Sequence, residues 1–202
     1  MSKRTKKVFL SLLCFILLVL GSKFFIDRMR VDNLYRHGFQ LYEEQIATYL
    51  KEHYSGISKI EFSPIFKSGG NGEGFVYARI VPVVYDTYGN KVYLRNDGVL
   101  KMGVADYEMT AGIDLDFNIN DGSEIIYLRN DQKESISVES YQNLPDELKL
   151  NKDEITNEVM EAFSREGHLK GVEKNDQGSP QAEIVYNLEI RRVQGREFYE
   201  WK

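Results

Sequence analysis

Cysteine occurs once in the 202 residues, tryptophan once and proline four times. The lone Cys14 excludes an internal disulfide framework and every zinc motif built on several thiols, because each needs a second sulfur. It also removes cysteine catalysis, since Cys14 lies inside an apolar leader. Proline and the 16 glycines are too few for a fibre, while 42% apolar and 12% aromatic residues are too many for a disordered tail. One packed domain stabilised without cross-links is the composition's expectation.

Histidine is scarce as well. His37, His53 and His168 stand too far apart for a local metal motif, and none belongs to an HExxH helix or a nucleophile elbow. The glycine-rich SGGNGEG at Ser68 to Gly74 lacks the Lys and Ser or Thr of a phosphate loop and precedes a strand-like run, so it reads as a hairpin loop. Asp114, Asp116, Asn118, Asn120 and Asp121 imitate a calcium loop. Its sixth position is Ile119 rather than Gly and its twelfth is Ile125 rather than Glu, which leaves a strand ending in a turn. No catalytic, metal or cofactor constellation emerges, and the chain is expected not to be an enzyme.

What is present is a divided charge. Residues 1 to 30 hold Lys3, Arg4, Lys6, Lys7, Lys23, Arg28 and Arg30 against Asp27 alone. Of the 26 basic and 31 acidic side chains, 19 and 30 therefore remain beyond residue 30, a formal net charge of -11. An acidic domain repels phosphate backbones, so nucleic acid is excluded as a partner.

The basic start leads into VFLSLLCFILLVL, Val8 to Leu20, thirteen residues without a charge. That is short of the ~20 residues of a membrane span and within the ~7–15 of a signal segment. Lys23 can snorkel and extend the apolar stretch to Ile26, which favours an uncleaved anchor over a cleaved signal; oligomeric state stays open. In either case the basic residues hold the start inside, and residues 31 to 202 form an exported domain. Cys14, embedded among leucines, does not occupy a lipoprotein position.

Helical spacing appears at Leu34, Gly38, Tyr42, Ile46 and Leu50, with Arg36, Gln40, Glu43, Glu44 and Lys51 assigned to the opposite, solvated side. From Ile57 the period changes to two, and strand runs are expected at 57–66, 73–85, 91–95, 104–119, 123–129 and 135–138. A second helix follows, capped by Asn151 with Glu154 as its capping-box partner and stopped by Gly167. A strand at 182–193 closes the chain. The order predicts an α+β domain: a single curved antiparallel sheet with helices packed on one face, behind a transmembrane or signal helix.

With no catalytic motif, function falls to a surface. Asp106, Glu108, Asp114 and Asp116 alternate on one expected strand, and Glu183 and Glu189 lie on the last. They describe an acidic sheet face able to dock a basic partner, with Tyr77, Tyr85, Tyr88 and Arg79 nearby as residue types that anchor interfaces.

The leader LLCFILLVLGSKFFID, the helix phrase LYEEQIATYLKEHYSGISKIEFSP, the strand phrase VYARIVPVVYDTYGNKVYL and the closing GSPQAEIVYNLEI together resemble the TipC-type immunity proteins. The resemblance implies a crescent with a concave sheet and convex helices. It also implies a membrane-tethered or surface protein that protects its producer from an LXG-type toxin of type VII secretion. In the family's best-known pair the toxin acts on lipid II outside the membrane, which implies an antidote that stands outside too. A membrane-anchored envelope or sensor module, and a carboxylate-dependent envelope hydrolase, are the alternatives.

Overall fold

The computed structural model describes residues 3–69, 77–95, 113–117, 124–193 and 201, without the side chains of 3–10, 24, 77, 113–117 and 124. It begins with one helix, α1, Lys3–His53, of 51 residues, about 75 Å long at 1.5 Å per residue. No proline interrupts this stretch. Its first part, from residue 11 to 30, stands clear of the domain, with Leu12, Phe15, Leu18, Leu20, Phe25 and Ile26 all exposed. No helix among the described residues is long and apolar enough to cross a membrane.

From Tyr35 onward α1 enters the core and is covered on almost every side. Tyr35, Phe39, Leu41, Tyr42, Ile46, Ala47, Tyr49 and Leu50 are buried, and so are Glu43 and Gln45. The expected solvated side therefore holds for Arg36 but not for Glu43, which lies fully inside. Gln45 makes its burial tolerable by donating through Nε2 to the carbonyls of Arg129 at 2.9 Å and Leu148 at 2.6 Å.

The strands follow as β1 (Tyr54–Ser55), β2 (Ile57–Phe62), β3 (Ile65–Ser68), β4 (Tyr77–Arg79), β5 (Pro82–Asp86), β6 (Lys91–Tyr93), β7 (Ile113–Phe117), β8 (Glu124–Arg129) and β9 (Ser135–Ser137). After a short 3-10 turn at Asp146–Leu148 comes helix α2 (Glu154–Arg165), then β10 (Glu173–Lys174), β11 (Glu183–Val185) and β12 (Ile190–Arg192).

The strands form a four-stranded sheet β11-β2-β5-β6, a three-stranded sheet β12-β3-β4, a separate antiparallel β7-β8-β9 and the pair β1-β10. The first two are related. Three expected strands, 57–66, 73–85 and 182–193, are each interrupted at the same level and pass from one sheet to the other. Pro64 and Pro82 lie at that level and have no N–H for a ladder. Ser63 restores part of the lost pairing. Its N–H donates to Val81 O at 3.1 Å, its hydroxyl accepts Val81 N–H at 2.8 Å, and Ile65 N–H donates to Glu189 O at 2.8 Å.

The α+β class thus holds, but the single antiparallel sheet does not. The closing strands pair in parallel, β11 with β2 and β12 with β3, because the chain returns to the sheet edge only after crossing through α2. Nor do helices cover one face alone. One hydrophobic cluster joins α1 to Ile57, Ile60, Phe62 and Val84 of one sheet, Ile126 and Leu128 of another, and Val159, Met160 and Phe163 of α2. The helix is enclosed between elements, as a core rod rather than an outer layer.

Helix α2 starts on Asp153, not Asn151: the Asp153 carboxylate accepts the N–H groups of Ile155 and Thr156, a cap worth about 1 kcal/mol. It stops as expected at Gly167. With φ at 78°, Gly167 donates to Ser164 O, and His168 N–H reaches Phe163 O at 2.9 Å, the paired closure of a Schellman motif.

Candidate functional site

Strand β2 carries a register irregularity between Ile57 and Lys59, an extra residue that shifts its alternation. Ile57, Ile60 and Phe62 are buried in consequence, while Lys59 and Glu61 come to the other face. The pairing aligns Glu183, Lys59, Tyr85 and Lys91 in one row across β11, β2, β5 and β6, and Val185, Glu61, Val83 and Tyr93 in the next. Directly opposed residues share a face, so these rows form the face of the four-stranded sheet turned away from the core cluster, on which Val83 is itself buried while Lys59, Glu61, Tyr85 and Tyr93 are partly exposed.

The surface is preassembled. Lys59 Nζ donates to Glu61 Oε2 at 2.9 Å, Tyr85 Oη donates to the same oxygen at 2.7 Å, and Lys59 Nζ sits 4.0 Å from the centre of the Tyr85 ring. Lys91 Nζ lies 5.0 Å from the Tyr93 ring, and Arg95 covers that ring at 4.8 Å. Beyond them Arg95 donates to Trp201 O at 2.9 Å, and the Trp201 ring meets Tyr93 edge-on at 5.8 Å and Phe66 at 6.5 Å. Phe66 and Val81 form a second, small hydrophobic cluster with Tyr93, Val193 and Trp201.

The charges reinforce one another. Hydrogen bonds from Lys59 and then Tyr85 hold the Glu61 carboxyl below its usual range, and the bond to Glu61 raises Lys59. Desolvation, followed by the bond to Glu61, raises the Tyr85 hydroxyl, and the contact with Tyr93 raises Lys91. All four are thereby fixed in their ordinary ionisation states at neutral pH. Such a surface binds by charge and ring contact.

Of the residues singled out by sequence, Tyr85 lies at the centre of this face and Glu183 at its edge. Arg79 is in β4 of the neighbouring three-stranded sheet, half-buried and opposite Phe66; position Tyr77 is paired with Ser68. Glu189 lies between β11 and β12 and is held by Arg191 through two bonds of 3.0 Å. Tyr88 is exposed at the β5–β6 turn. Positions Asp114 and Asp116 belong to β7, opposite Tyr127 and Ile125, in a different sheet from Tyr85. Asp106 and Glu108 lie outside the described residues. The acidic positions and the tyrosines are therefore not gathered on one sheet.

Lys59, Glu61, Lys91 and Tyr93 were missed by sequence reasoning. Period-two counting from Ile57 puts Lys59 and Glu61 on the buried side, and only the irregularity in β2 reverses that. Among the described residues no group of three or more His, Cys, Asp or Glu side chains is close enough to hold a metal ion. No family model matches the chain, and neither a curated protein nor a solved structure matches it.

Proposed function

We propose that the protein is an exported binding protein that neutralises a secreted antibacterial toxin, of the kind the TipC-type immunity proteins resist, by covering the toxin's active site without chemistry of its own. The observation that carries this reading is the outer face of the four-stranded sheet. Lys59, Glu61, Tyr85, Lys91 and Tyr93 are held there by mutual contacts. Side chains already ordered lose little freedom on association, and tyrosines flanked by charge are typical anchors of protein interfaces. This face is preferred over the row at Asp114 and Asp116 as the centre of the contact, because it combines rings with both signs of charge.

The leader supports the location. Its basic start and the uncharged run Val8 to Leu20 would keep the start inside and the domain outside, where a lipid II-directed toxin acts. The test is protection. Sensitive cells producing the full chain should survive exposure to the LXG-type toxin encoded beside its gene, and cells producing a chain without residues 1–30 should not. Equal killing of protected and unprotected cells would reject the immunity role.

A further inference from the structure

We propose that the end of the domain from which α1 emerges is a docking surface for anionic lipid headgroups, and that it sets the domain's orientation on the membrane. This rests on the reading that the leader holds the chain at a membrane, and adds to it a second, electrostatic contact.

The large apolar side chains of α1 from Leu12 to Leu20, with Phe25 and Ile26, are 43 to 72% exposed, and the same uninterrupted helix is buried in the core from Tyr35. Anchor and domain are thus one rod. Ile26 precedes Asp32 by six residues, about 9 Å along a helix axis, so the end of the apolar stretch and the domain surface lie about one Debye length apart.

That surface is cationic. Lys23, Arg28 and Arg30 lie on the exposed helix. Arg192 of β12 reaches Asp32 Oδ1 at 3.3 Å, and Lys67 of β3 comes within 4.0 Å of the same oxygen while resting 3.8 Å from the Tyr35 ring. These contacts bring the ends of two strands to the exit point of the helix. Exposed Lys23, Arg28 and Arg30, with Arg192 beside Asp32 and Lys67 buried behind it, therefore outnumber Asp27 and Asp32 in a chain whose residues beyond 30 carry a net charge of -11. Anionic headgroups attract this end and repel the acidic remainder, a pairing that orients as well as binds. Zwitterionic lipids offer no such bias.

The sole tryptophan, Trp201, is a built-in probe, because it packs on Phe66, the neighbour of Lys67 in β3. The full chain would be titrated with vesicles of phosphatidylcholine alone and with one part in three of phosphatidylglycerol. Binding would be read by co-sedimentation, and orientation by energy transfer from Trp201 to a dansyl headgroup. Phosphatidylglycerol should lower the half-binding lipid concentration by at least about ten-fold and raise the transfer, both effects fading in high salt. Arg28→Gln with Arg30→Gln, both exposed on the helix, should cost about five-fold per cation. Arg192→Gln should reduce the transfer. Equal binding and equal transfer in the two vesicle types would overturn the docking surface while leaving the anchor. Absence of co-sedimentation with either vesicle would overturn the membrane placement on which it rests.

Discussion

The carboxyl of Glu43, in the buried part of α1, accepts the backbone N–H of Asn187 at 3.1 Å through Oε2, while its buried Oε1 has no hydrogen-bond partner among the described residues. Asn187 lies in the link between β11 and β12, so this single contact joins the core helix to the point where the closing strand changes sheets. Desolvation pushes the acid up to about 9, against the opposing pull of the Asn187 bond. The group is therefore carried protonated at neutral pH.

A raised acid makes the folded state hold a proton that the unfolded chain has released. Between about 4.5 and about 9 this residue's contribution to stability must therefore fall as pH rises. Glu43→Gln keeps the acceptor for Asn187 and has no proton to lose. Chemical denaturation across that range should show the variant more stable than the parent at pH 8 and flatter in its pH dependence. A variant less stable than the parent at every pH would refute the assignment.

Asp86 works in the opposite direction. Burial opposes its ionisation, but hydrogen bonds from the Asn90 side chain and from the N–H groups of Lys170, Asn90 and Tyr88 outweigh it and hold the carboxyl below its usual range. Its contribution is present above the ordinary carboxylate pKa and is lost as pH falls through and below it. Asp86→Asn places an amide donor against donors and should cost about 2 kcal/mol at neutral pH. Acid titration of the variant should show a shallower loss of stability below pH ~4 than the parent.

Asn157 of α2 is shared by two tyrosines. Tyr49 Oη and Tyr54 Oη each donate to its Oδ1 at 2.7 Å, linking the end of α1 and β1 to the second helix. Asn157→Ala removes the acceptor of both and should destabilise the domain by about 2–4 kcal/mol, since two hydroxyls are left without it. Denaturant midpoints of Asn157→Ala and of the Tyr49→Phe, Tyr54→Phe, Asn157→Ala triple variant decide the cause. The triple should recover part of the loss, and no recovery would mean that the loss is packing alone.

The element types were legible because they rest on local signals: the switch of period at Ile57 and the Gly167 stop both stand where the chain needs them. What failed depends on distant partners. Glu43 has the letter of a surface residue and lies inside because strands from the far end of the chain close over it. The parallel pairing of β11 with β2 joins residues more than 120 positions apart, and no local pattern encodes it. The outer face was half legible: Tyr85 was found by residue type, whereas Lys59 and Glu61 were hidden by one extra residue in β2.

Toxin binding should centre on that face. Calorimetric titration of the full chain in detergent with the toxin domain encoded beside its gene would measure it, for the parent and for Tyr85→Ala combined with Lys91→Ala. Tight one-to-one binding by the parent, weakened by at least about 2 kcal/mol in the variant without loss of folding, is the predicted result. Equal affinity of parent and variant would contradict the assignment of the face, and no binding by the parent would contradict the function.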